Sequence, residues 1–153
     1  MLNQYLALLA FGIVGLTPLT AFSADQKPEK MLSAAEEERV VYHISDSSNA
    51  RLALININNH LRATSDKAKI VVVTNSKGID FLLSDAQDQE GKAYRPIVQD
   101  LKNKGVDFRV CNNTLVSRKI DPGLVIAEAQ IVPSGVAEVG RLQTREHFVY
   151  IKP

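Results

Sequence analysis

The sequence holds a single cysteine, Cys111, in 153 residues. One thiol cannot form a disulfide within its own chain, so no covalent staple supports the fold. An excess of charge is missing as well: 18 Lys and Arg stand against 17 Asp and Glu, a formal net charge of +1. That balance removes the general electrostatic motive for binding nucleic acid or an anionic membrane surface. Several catalytic signatures are absent. The chain has no Gly-x-Gly-x-x-Gly turn for a dinucleotide, no lysine-bearing phosphate loop and no Gly-x-Ser-x-Gly elbow. A phosphatase-type loop needs an Arg six residues after its Cys, but position 117 is Ser and Arg118 falls one residue late. His43, His60 and His147 are too dispersed to form a ligand set, so neither a metal nor another cofactor is expected. Internal repeats, low-complexity tracts and interdomain linkers are missing too.

What is present suffices for one packed core. The composition is 45% hydrophobic and 23% charged, and the length suits one domain rather than two. Residues 1–24 lack Asp, Glu, Lys and Arg altogether, and 6–16 form an apolar run too short to span a bilayer, which takes about 20 residues. Pro18 follows, and the small residues Ala21 and Ser23 have the spacing of a signal-peptidase site. Residues 1–24 therefore read as a signal peptide, although the segment before the apolar run lacks the usual Lys or Arg. The mature chain is expected in the periplasm or outside the cell, free of the membrane after cleavage. A lipoprotein is excluded, because no Cys lies near the cleavage region. A polar, flexible leader is expected over 25–38, where Ser33 to Glu36 fit a capping box. The folded domain then runs over 39–153.

Within it, continuous apolar runs alternate with helical stretches, the pattern of a parallel α/β sheet whose strands are buried on both faces. Strands are predicted at 40–44, 70–74, 108–110, 129–132 and 148–151, and helices at 48–63, 77–83, 93–104, 114–119 and 136–144. The first helix is predicted to bury Leu52, Ile55, Asn59 and Leu61 with Ala53 and Ile57, capped by Asp46 or Ser47. Gly105 suits the left-handed position after another helix. The fold class is a three-layer α/β domain with a central parallel sheet of about five strands.

In such a sheet ligands bind beyond the carboxyl ends of the strands, near a switch in strand order. The loops there carry Ser45-Asp46, Asn75-Ser76-Lys77-Gly78, Cys111-Asn112-Asn113-Thr114 and Pro133-Ser134-Gly135. Cys111 falls where a strand ends and a helix begins, and the free N–H groups of a helix start favour thiolate over thiol. Arg109 and Arg118 are candidates to add to this. A nucleophile or sulfur carrier fits that position; so does a small buried apolar residue. His43, in a first strand expected at the sheet's centre, reads either as a satisfied core histidine or as a partner to Cys111. Glu36 to Glu38 read as a solvated charge run, and Asn112-Asn113-Thr114 also matches a glycosylation sequon.

These residues resemble a known family. Val40-Val41-Tyr42-His43-Ile44, Asn56 and Asn59 with Leu61, Ile70 to Val73 leading to Gly78-Ile79, and the block from Gly105 through Phe108 and Cys111-Asn112-Asn113-Thr114-Leu115 are similar to the DsrE/DsrF-like proteins. Gly135-Val136, Arg141-Leu142-Gln143 and Tyr150 to Pro153 extend the likeness to the end of the chain. The resemblance implies a flavodoxin-like domain assembled as a homo-oligomer, a trimer or hexamer. In the sulfur-relay members the matching Cys takes up sulfane sulfur as a persulfide and passes it on. Those members work in the cytoplasm beside partner proteins, whereas 1–24 mark this chain for export.

Two functions are then expected, of different classes. In the first, Cys111 carries sulfur between a donor and an acceptor protein, its anion held by the helix start and by Asn112, Asn113 and Thr114. In the second, a noncatalytic oligomer binds a small ligand through Asn75, Lys77, Asn112 and Ser134, or serves a structural role in the envelope.

Overall fold

Five short β-strands line up in one parallel sheet, whose inner strands β1 and β2 are almost continuously apolar and are covered on both faces. The computed structural model describes residues 37–153, so the predicted signal peptide and all but the last two residues of the predicted leader lie outside the described residues. The strands are β1 (Arg39–Ile44), β2 (Lys69–Thr74), β3 (Asp107–Cys111), β4 (Ala129–Val132) and β5 (Val149–Ile151), in the order β4-β3-β2-β1-β5. All five predicted strands are present. The middle place belongs to β2, with β1 beside it rather than at the centre.

The helices are α1 (Ala50–Ala63), α2 (Arg95–Asn103), α3 (Asn112–Arg118) and α4 (Gly135–Glu146). The chain steps from β1 to β4 in one direction, so right-handed crossovers place α1, α2 and α3 on one face. The return from β4 to β5 runs the opposite way and carries α4 to the other face. Strand alternation divides the core accordingly. Val40, Tyr42, Ile70, Val72, Phe108 and Val110 pack with α1 and α2, while Val41, Val71 and Val73 pack with Val139, Leu142 and Phe148. This is a three-layer flavodoxin-like arrangement.

The predicted apolar stripe of α1 needs correction. Ala50, Ala53, Leu54, Ile57 and Leu61 are buried, whereas Leu52 and Ile55 are 58% and 43% exposed. Apolar residues surround this helix, and a buried set at i, i+3, i+4, i+7 and i+11 competes with the stripe through Leu52 and Ile55. The first helix also begins later than predicted: Asp46 caps a 3₁₀ turn, Ser47–Asn49, by accepting the Ser48 N–H at 2.9 Å.

The predicted helix at 77–83 is a 3₁₀ segment, Ser76–Leu82. Gly78 sits so close to β1 that a Cβ there would lie 2.0 Å from the Ile44 carbonyl oxygen, and its N–H donates to the Ser45 carbonyl at 3.0 Å. Helix α2 ends as expected: the Gly105 N–H donates to the Lys102 carbonyl and the Val106 N–H to the Leu101 carbonyl. Residues 84–92, unassigned in the sequence, form an ordered excursion held by Arg51. Its guanidinium lies over Tyr94 and donates to Asp88 and to the carbonyls of Lys92 and Ala93.

Candidate functional site

Cys111 is the last residue of β3 and the N-cap of α3, in extended conformation at φ −72° and ψ 114°. The adjacency of β2, β3 and β4 decides what surrounds it. Asn75 follows β2 on one side, and the loop after β4 delivers Gly135 on the other. A Cβ added at Gly135 would lie 3.2 Å from the Cys111 Cβ, 3.4 Å from the Asn75 Cβ and 3.1 Å from the Thr74 carbonyl oxygen. Glycine is what lets the start of α4 reach the thiol. Helices α3 and α4 thus both begin at Cys111. Ser134 caps α4 by accepting the Ala137 N–H, and the Asn113 N–H ties α3 to the Pro133 carbonyl.

Cys111 as a whole residue is 5% exposed. Burial pushes its pKa up, but the Gly135 N–H, the Thr114 hydroxyl and the N–H groups of Thr114 and Asn113 outweigh that and hold it below its ordinary value. The acidifying groups are neutral dipoles at two helix starts. The expected help from Arg109 and Arg118 is absent. Arg109 is engaged by Asp107 and Glu138, and Arg118 by Asp80 and the Ser76 carbonyl. These cations answer carboxylates rather than the thiol.

His43 does not pair with Cys111. Its Nδ1 is 3.0 Å from the Tyr150 hydroxyl, and its Nε2 is buried with no hydrogen-bond partner, as is Asn75 Oδ1. Burial lowers its pKa, the Asn75 side chain opposes that, and Lys152 adds to the lowering, so the ring is neutral near pH 7. Asn75 therefore stands between the histidine and the cysteine.

The switch in strand order falls between β1 and β5, two strands from Cys111. A crevice of about 320 Å³ opens there, lined by His43, Ser45, Asp46, Ser48, Asn49 and Lys152. Asp46 and His43 belong to this crevice, while Asn75, Asn113, Thr114 and Ser134 gather around the thiol and Asn112 opens α3. The residues picked from the sequence thus fall into two groups. Ser76 was named only as part of its loop, and Gly135 as part of its loop and of the family resemblance; nothing local marks their contact with α3 and its N-cap. A larger cleft of about 740 Å³ lies between Arg51, Phe81 and the 86–94 excursion, without Cys111. Among the described residues no three His, Cys, Asp or Glu side chains gather as metal ligands.

The profile of the DsrE/DsrF-like family matches residues 38–150. Among solved structures, the protein of unknown function MTH1491 from Methanobacterium thermoautotrophicum is 34% identical, with a TM-score of 0.66 over 76% of this chain and 99% of that one. The ychN protein from E. coli shares the fold at 13% identity, with a TM-score of 0.60 over the same shares. No curated protein matches. With the family's profile spanning all of the sheet but the last residue of β5, and both helix starts at Cys111, the chain belongs to the DsrE/DsrF-like family.

Proposed function

We propose that this protein carries sulfane sulfur on Cys111. The observation that carries the reading is the convergence of two helix starts on one shielded thiol, whose anion they stabilise. In the step itself the Cys111 thiolate attacks the outer sulfur of a donor R–S–SH. A new S–S bond forms at Cys111, the donor's S–S bond breaks and R–S⁻ leaves. The proton of the new persulfide passes to the departing thiolate, leaving Cys–S–S⁻ and R–SH. The N–H groups that favour the thiolate then face a second anion of the same charge, one atom longer. Transfer to an acceptor protein runs the same exchange in reverse. The protein acts in the periplasm or outside the cell as a homo-oligomer, a trimer or hexamer, with donor and acceptor as transient partners.

The test is intact mass after exposure of the mature protein to inorganic polysulfide. The wild type gains one sulfur, about 32 Da, reversed by a thiol reductant, and Cys111→Ser gains none. An unchanged wild-type mass overturns the reading. The crevice between β1 and β5 supports a second reading, a noncatalytic small-ligand binder, for which Cys111→Ser leaves ligand affinity unaltered.

A further inference from the structure

The excursion before α2 carries a hairpin, 87–93, that is complete in itself. Gln87 and Ala93 pair antiparallel, the Asp88 N–H donates to the Lys92 carbonyl at 2.9 Å, and the Gly91 N–H donates to the Asp88 carbonyl at 3.0 Å. Gly91 takes φ 78°, where a residue with a side chain would be strained. Asp88 Oδ1 accepts the N–H groups of Glu90 and Lys92, so one carboxylate closes the turn from within. Every residue of the hairpin is exposed except Asp88. At its base the Tyr94 N–H donates to the Ala86 carbonyl at 3.0 Å, and the buried Tyr94 ring lies 5.7 Å from that of Phe81.

The hairpin walls the cleft of about 740 Å³, whose lining includes Ser48, Ile55 and Phe81. Among the described residues, the hydrogen bonds joining 87–93 to the rest of the protein all come from one side chain of α1. Arg51 Nε donates to Asp88 Oδ2 at 2.7 Å, and Nη2 donates to the carbonyls of Lys92 and Ala93 at 2.8 and 3.0 Å. Water reaches this pair, since the Arg51 and Asp88 side chains are 26% and 10% exposed. A hairpin that holds its own shape and is tied down by one hydrated side chain can move without losing its internal bonds. We infer that 87–93 is a movable flap on this cleft, latched by Arg51 on Asp88 and swinging as a unit about Ala86 and Tyr94 when the latch breaks. The two oxygens of Asp88 divide the work: Oδ1 keeps the turn and Oδ2 meets the latch. Release widens the cleft for a small molecule. The device is independent of the sulfur-carrier reading, because Cys111 does not line this cleft.

The test is a nitroxide distance by double electron–electron resonance, in the mature protein carrying Cys111→Ser with labels at Gln89→Cys and Asn59→Cys. One main distance is expected, with a minor longer one. Asp88→Asn keeps an oxygen for the Glu90 and Lys92 N–H groups but removes the charge; it raises the ratio of longer to shorter distance about tenfold. Arg51→Gln raises it at least as much. Raising the salt to about 1 M moves the unsubstituted latch the same way, a readout that needs no latch variant to fold. Amide exchange at position 88 stays slow throughout, since its bond to the Lys92 carbonyl lies inside the moving unit. A single distance that neither substitution nor salt changes overturns the inference. So does an amide at position 88 that exchanges faster in step with the longer distance, because the hairpin then melts instead of swinging.

Discussion

At Cys111 two effects oppose each other on one sulfur: burial disfavours the thiolate, and donors from two helix starts favour it. The balance depends on how closely α4 approaches, and Gly135 sets that distance. Gly135→Ala puts a methyl group 3.1–3.2 Å from the Thr74 carbonyl oxygen and the Cys111 Cβ. The start of α4 must then shift outward. The expected outcome is a loss of about 1 kcal/mol in denaturant unfolding together with a higher alkylation midpoint. Unchanged stability and midpoint would show that the contact has slack. Cys111 itself was legible in the sequence because a strand end followed by a helix start is local information. The partners were not. Thr114 lies three residues away and was foreseen, but Gly135 reaches Cys111, and Ser76 reaches Thr114, only because β4 and β2 flank β3. Arg109 and Arg118 show the converse error: near in sequence, they are held by Asp107, Glu138 and Asp80.

Among the elements, α1 is where periodicity misled. Leu52, Leu54, Ile55 and Ile57 offer apolar side chains around most of the helix, so more than one stripe satisfies the 3.6-residue repeat. Only packing against Val40, Tyr42 and Ile70 selects the face through Leu54. Leu54→Ala is accordingly expected to cost about 2–5 kcal/mol in urea unfolding, against less than about 0.5 for Leu52→Ala. Equal losses would put the core on the wrong side of α1. The strands were easier to read, since unbroken runs such as Ile70 to Val73 admit one interpretation when flanked by charged and polar turns. The excursion at 84–92 was invisible because its order comes from Arg51, more than 30 residues earlier in the chain.

For the whole molecule, strand order does the sorting that sequence cannot. The order β4-β3-β2-β1-β5 separates the thiol at the end of β3 from the crevice at the switch between β1 and β5. Fold class and the presence of five parallel strands followed from apolar patterning, whereas which loops meet followed from adjacency alone. The proposed assembly is tested by light scattering of the mature protein, where a mass three or six times that of one chain is expected and a single-chain mass contradicts it. The central claim is the acidity of Cys111. Thiolate, not thiol, reacts with alkylating agents, so the rate of iodoacetamide modification rises with pH through the thiol's own pKa. A depressed pKa moves that rise to lower pH, with reaction complete in the native protein. The account predicts a midpoint below the ordinary thiol value of about 8.5. A midpoint at or above that value, or a thiol that reacts only after unfolding, contradicts it.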